Sequence, residues 1–263
     1  MYITTGDNVR IAYRFDGAEH LPVLILSNSI GTSYHMWDGE VEALSRHFRV
    51  LRFDTRGHGA SDVPAGDYSL DRMGRDVLEM MDALGIRRAH FLGLSLGGFI
   101  GQWLAIHAPE RLERLVLSNT AANLGPEGFD EQIAAVRAAS DMRDTAEGFL
   151  SRWFPPHMLA AQHPPVGKFR DMLLATERQG LAASLAAVRD ADLRRTIRLI
   201  AAPTLVIAGR DDTVTSARHG ADIAAAIPGA CLHTLPTVHL SNIELPEQFT
   251  AAVLDFLRSP FPS

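Results

Sequence analysis

The segment Gly93-Leu94-Ser95-Leu96-Gly97-Gly98 limits what this chain can fold into more than any other stretch. It joins an apolar run that reads as a strand, His90-Phe91-Leu92, to a helical pattern running from about Gly97 to Ala108 and stopping before Pro109. A serine at such a strand–turn–helix junction sits in a strained backbone conformation that raises its hydroxyl above the sheet edge. Small residues are needed two positions to either side, because neighbouring backbone passes very close. The helix start also presents N–H groups where negative charge on a reacting oxygen would develop. The other common use of a glycine-rich turn, cradling a dinucleotide phosphate, needs glycine where Ser95 stands and accompanies the first strand of a domain. The segment therefore points to a nucleophilic serine carried on an α/β sheet.

Short apolar runs alternate with helical patterns over most of the chain, which predicts a mostly parallel central sheet covered by helices. Tyr2–Thr4 and Val9–Phe15 read as an antiparallel hairpin turning at Gly6-Asp7-Asn8, and Val23–Leu26, Val50–Phe53, Leu115–Leu117, Thr204–Ala208 and Cys231–Leu235 as further strands. A helix is expected after Ser69 as N-cap, with Leu70, Met73, Val77, Met80, Met81 and Leu84 at helical spacing and Gly85 at its end. A last helix is expected near Pro246–Leu257. From about Ala122 to Ile200 the strand rhythm stops, and helical patterns broken by Pro155-Pro156 and Pro164-Pro165 take over. The chain thus divides into a first core part at 1–121, a helical cap insertion at 122–200, and a second core part at 201–263.

Charge and composition exclude several functions. The formal net charge of −6 argues against non-specific binding to nucleic acid or an anionic membrane, so an acidic substrate would need a local cation. Of the 25 basic residues only Lys168 is lysine, and the arginines are scattered. A single cysteine, Cys231, allows neither an internal disulfide nor a cysteine zinc site; its apolar surroundings predict a small buried hydrophobe. No basic leader precedes an apolar run, and no stretch approaches the ~18 apolar residues of a membrane span, so a soluble, cytoplasmic protein is expected.

A serine hydroxyl is a weak nucleophile until a base removes its proton, so a histidine and an orienting carboxylate must accompany Ser95. In a chain of this pattern the acid follows the serine and the histidine comes last. The carboxylate should lie just after the strand Thr204–Ala208, in Gly209-Arg210-Asp211-Asp212-Thr213, which leaves Asp211 and Asp212 as alternatives. Of the eleven histidines, His239 alone follows the last strand by a short loop; His233 lies within that strand, His219 in a helical pattern, and His157 and His163 in the insertion. The N–H of Leu96 and that of Ile30, in the loop after Val23–Leu26, are the expected oxyanion donors. Asp54-Thr-Arg56-Gly57-His58-Gly59-Ala-Ser61 reads as a structural turn. No metal-ligand spacing such as H-E-x-x-H occurs, and the chemistry calls for no cofactor.

With these residues placed, the chain resembles the α/β-hydrolase superfamily over essentially its whole length, and more narrowly the 3-oxoadipate enol-lactonases. The resemblance rests on Ser27-Asn-Ser-Ile-Gly-Thr32 with Met36-Trp37-Asp38, Phe53-Asp-Thr-Arg-Gly-His-Gly59, Gly93–Gly98, Leu117-Ser-Asn-Thr-Ala-Ala122 and His239-Leu-Ser-Asn-Ile-Glu-Leu-Pro246. It implies an α/β-hydrolase fold with a triad of Ser95, Asp212 and His239, Asp212 being preferred to Asp211 because family members place the acid three residues after the glycine. It implies a carboxylate-bearing lactone or ester as substrate, and hence a cation in the cap, for which Arg137 and Arg189 are candidates with Trp153 as a pocket wall. The insertion follows the family less closely than the core: Gln179-Gly180-Leu181 has leucine where an aromatic is common.

Overall fold

The computed structural model describes residues 1–259. In chain order the elements are β1 (Tyr2–Thr4), β2 (Arg10–Asp16), β3 (Val23–Ser27), α1 (Val41–Ser45), β4 (Arg49–Phe53), α2 (Leu70–Ala83), β5 (Ala89–Leu94), α3 (Leu96–His107) and β6 (Leu112–Ser118). Five helices follow without a strand: α4 (Phe129–Ala138), α5 (Arg143–Trp153), α6 (Pro156–Ala160), α7 (Pro164–Ala175) and α8 (Arg178–Asp190). The chain then returns to the sheet with β7 (Thr204–Gly209), α9 (Ala217–Ala226), β8 (Cys231–Leu235), α10 (Ser241–Glu244) and α11 (Pro246–Arg258).

The strands form one eight-stranded sheet in the order β1-β2-β4-β3-β5-β6-β7-β8. β1 pairs antiparallel with β2 and β2 antiparallel with β4, while every pair from β4 to β8 is parallel. The central strands are buried on both faces, which explains their continuous apolar runs: Leu24, Ile25 and Leu26 of β3 have no exposed surface, and all of β5 is buried. The chain winds from β3 outward to β4, then crosses back to β5 on the other side of β3. Such a reversal opens a crevice above the C-terminal ends of β3 and β5, where doubly wound sheets bind their ligands.

The helix after Ser69 forms as its sequence dictates. The Ser69 hydroxyl accepts the Arg72 N–H at 3.1 Å, Leu70, Met73, Val77, Met80 and Met81 are buried, and Gly85 takes a positive φ just past the end. Cys231 departs from expectation. It is exposed, because β8 is the edge strand of the sheet and four of its five residues face solvent. Helices α4–α8 meet the core at close quarters. The Tyr68 N–H donates to Ala183 O, Lys168 Nζ on α7 pairs with Asp38 at 2.7 Å, and a Cβ on Gly180 would lie 2.0 Å from the carbonyl oxygen of Gly57. Among the described residues no helix is long and apolar enough to cross a membrane.

Candidate active site

Ser95 stands between β5 and α3 with φ 57° and ψ −115°, a conformation an L-residue adopts only under constraint. Sterics supply that constraint. A Cβ on Gly93 would lie 2.1 Å from the Gly97 carbonyl oxygen, and one on Gly97 would lie 2.2 Å from the Ser27 carbonyl oxygen. Hydrogen bonds then fix the turn: the Ser95 N–H donates to Ser118 O at 3.0 Å, and its carbonyl accepts the Thr120 hydroxyl at 2.8 Å.

The loops after β7 and β8 bring Asp212 and His239 together. His239 Nδ1 lies 2.9 Å from Asp212 Oδ2, both side chains are buried, and His239 Nε2 has no partner among the described residues. Asp212 also accepts the N–H groups of Val214 and Thr215 and the Thr215 hydroxyl. Burial pushes its carboxyl up, but His239 and the Thr215 donors outweigh burial and hold it below the usual carboxylate value. An acceptor-only carboxylate on Nδ1 keeps the proton there and leaves Nε2 free to accept another. Asp211 points elsewhere, pairing with Arg210 at 3.1 Å on the surface.

Ile30 and Leu96 lie beside Ser95 in one cavity, and neither backbone N–H donates to any other group among the described residues. The Ile30 loop is anchored through its neighbour: the Gly31 N–H donates to His58 Nε2 at 2.8 Å, while His58 Nδ1 faces Arg56 O at 3.2 Å. Burial presses the His58 pKa down to about 4, so the ring is neutral and can accept that bond. The Asp54–Ser61 turn, read from sequence as structural, thus also holds the loop that carries Ile30.

The cavity is apolar over most of its wall, with Phe99, Phe129, Leu185 and Val214 among its lining residues, and contains both Ser95 and His239. Trp153 walls it, with its ring centroid 6.4 Å from that of His239. Arg137 and Arg189 do not line it. Arg137 pairs with Asp67, and Arg189 with Asp130 and Asp190, all at the surface. The lining arginine is Arg152, accompanied by the amide of Gln132. Arg152 is exposed on its outer side; it donates through Nε to Gly148 O, lies over the Phe149 ring and has no carboxylate partner among the described residues, and partial desolvation draws its pKa below the usual arginine value. Phe149, Arg152 and Trp153 share one face of α5 at i, i+3 and i+4, so the position of Trp153 carried a sequence signal for Arg152. Volume does not single this cavity out, because larger clefts lie elsewhere on the surface. One of about 450 Å³, lined by Tyr34, Asp54, Lys168 and Met172, exceeds the roughly 80 Å³ of the Ser95 cavity but contains none of Ser95, Asp212 and His239.

Residues 22–246 match the family model described as the alpha/beta hydrolase fold. The chain is 36% identical to 3-oxoadipate enol-lactonase 2 of Acinetobacter baylyi, over 95% of this chain and 93% of that one. It is 32% identical to a protein named as a carbamate hydrolase, RutD, of Pseudomonas savastanoi pv. phaseolicola, over 90% of this chain and 94% of that one. Among solved structures it is similar to a hydrolase from Pseudomonas aeruginosa (TM-score 0.97, 62% identity, 98% of each chain). It is also similar to the enol-lactonase from Burkholderia xenovorans (TM-score 0.96, 40% identity, 98% of this chain and 100% of that one). The chain is a hydrolase that belongs to the α/β-hydrolase family, and its relatives include the 3-oxoadipate enol-lactonases.

Proposed function

We propose that this protein is a cytoplasmic serine hydrolase that opens the ring of 3-oxoadipate enol-lactone to give 3-oxoadipate in the catabolism of aromatic compounds, with residues 122–200 as a cap over the site. The observation that carries the chemistry is the buried Asp212–His239 pair, whose free Nε2 shares a cavity with the strained Ser95. His239 Nε2 takes the Ser95 proton as Oγ forms a bond to the lactone carbonyl carbon. The oxyanion that develops is held by the N–H groups of Ile30 and Leu96. Collapse breaks the ring C–O bond, giving an acyl-enzyme and an enolate that His239 protonates. The leaving group stays tethered, and such groups return with effective molarities on the order of 10⁵ M or more, so tautomerisation of the enol to the ketone removes the competitor. Water then gives a proton to His239 and attacks the acyl carbon, the second tetrahedral intermediate collapses with return of that proton to Ser95, and the acid departs.

Arg152 supports a substrate that bears a carboxylate. It is the cation of the cavity wall, it has no carboxylate partner among the described residues, and a substrate carboxylate would supply one. The apolar remainder of the wall favours a second reading, a carboxylesterase for neutral acyl groups with the same triad, of which a cofactor-free perhydrolase would be a variant. A substrate panel separates these readings. Enol-lactone hydrolysis at least about a hundredfold faster in kcat/KM than p-nitrophenyl acetate, carbamate or acetate plus peroxide supports the lactonase; the reverse order overturns it.

A further inference from the structure

Asn119 takes no part in the steps above, yet it contacts the acid Asp212 and the backbone of the residue just before His239. It follows β6 directly, is buried, and has φ +42°, the left-handed region that asparagine tolerates better than most residues. Its Nδ2 lies 3.2 Å from Asp212 Oδ2 and 3.2 Å from the carbonyl oxygen of Val238, the residue joined to His239. Both partners can only accept, so the amide must turn its NH₂ toward them whichever way a side-chain amide is assigned. The Ser118 hydroxyl donates to Asn119 Oδ1 at 2.8 Å and fixes the other end, while the Asn119 N–H ties the backbone to Ile207 O of β7 at 2.8 Å.

The same tripeptide also grips the nucleophile. Ser118 O accepts the Ser95 N–H and the Thr120 hydroxyl donates to Ser95 O, so Ser118-Asn119-Thr120 connects Ser95 on one side with Asp212 and the His239 loop on the other. The fit is close: a Cβ on Gly209 would lie 2.9 Å from Asn119 Nδ2 and 2.4 Å from Val238 O.

We infer that Asn119 is a positioning residue for catalysis, its amide clamping the Asp212 carboxylate and the His239 loop in one geometry so that the imidazole stays aligned with Ser95. The inference rests on the serine-hydrolase reading above. By donating to Asp212, the amide also spreads the carboxylate charge, so that removing it concentrates that charge on His239. His239 is the titratable neighbour of Asp212, and Asn119, Val214 and Thr215 contribute neutral donors. The pH dependence of the reaction should therefore change when the amide is lost.

The test compares Asn119→Ala and the near-isosteric Asn119→Asp with wild type, using full pH profiles on an ester or lactone that wild type cleaves. The expected result is a fall in kcat of about tenfold to a hundredfold with KM within about twofold. The acid limb of kcat/KM should move up by about half a pH unit or more, and further in Asn119→Asp, which adds a second carboxylate at Asp212. Titration with a fluorophosphonate should still label every folded molecule, but more slowly. Folded variants with wild-type kcat and an unmoved acid limb would overturn the inference, as would failure of both variants to fold. If Ser95→Ala kept its turnover, the serine-hydrolase reading itself would fail, whereas loss of turnover in Ser95→Ala with normal Asn119 variants would remove only the role of Asn119.

Discussion

The loops at the sheet edge and the cap helices face each other across one cavity, but they are built on different physics. At the sheet edge hydrogen bonds hold the acid and the nucleophile turn: Asp212 accepts from His239, Asn119, Val214 and Thr215, and the Ser95 turn is held by Ser118 and Thr120. Backbone geometry dictates these residues, since the elbow fails if Gly93 or Gly97 gains a Cβ. The cap contributes apolar side chains, a single Arg152 without an acid partner, and one amide. On the proposed mechanism, reactivity comes from a preorganised polar frame and selectivity from the wall above it.

The largest effect that would sharpen this contrast belongs to the frame. Ser95→Ala and Asp212→Asn should each lower kcat by about 10⁴-fold with little change in Tm, whereas Asp211→Asn, at an exposed pair with Arg210, should leave kcat within about twofold. Steady-state kinetics on the three variants checks the choice between the two aspartates.

Next in size is a change of selectivity from the cap. Arg152→Leu should raise KM for a carboxylate-bearing lactone by about tenfold to a hundredfold and leave a neutral ester unaffected, as expected for one charge-assisted contact. Equal losses on both substrates would show that the cap acts on the frame and would break the contrast. Arg137→Ala and Arg189→Ala, in surface ion pairs with Asp67 and with Asp130 and Asp190, should change KM less than about twofold on either substrate.

The frame was legible in the sequence because steric rules and chain order are local or one-dimensional. Glycine spacing marked Ser95, and position after β8 marked His239. The contacts of Asn119 were not legible because they depend on β6 and β7 being neighbours in the sheet, a relation no local spacing reveals. The cap was less legible because the direction of an arginine depends on the rotation of its helix. Gln132 lines the cavity from α4, and Arg137, five residues on, lies about 140° around that helix. Cys231 shows the same limit in a strand: its apolar neighbours suggested burial, but β8 has only β7 beside it.

A smaller effect concerns stability under the frame. Glu40 is buried, neither of its carboxyl oxygens has a hydrogen-bond partner among the described residues, and burial pushes the carboxyl up to about 8. Because its folded pKa lies above its unfolded value, its contribution to stability is complete below pH ~4.5 and is lost as pH rises through about 8. Glu40→Gln should therefore match wild type near pH 4.5 and exceed its Tm by several degrees at pH 9, as thermal melts across that range would report. A constant Tm difference at all pH values would remove Glu40 from the explanation.

The most direct test of Ser95 as the attacking group is mass spectrometry of the enzyme quenched in acid during turnover of the enol-lactone. Ring opening keeps the leaving group attached, so the peptide bearing Ser95 should gain the mass of the whole lactone, and Ser95→Ala should show neither the adduct nor turnover. An adduct on another residue, or turnover retained by Ser95→Ala, would contradict the mechanism.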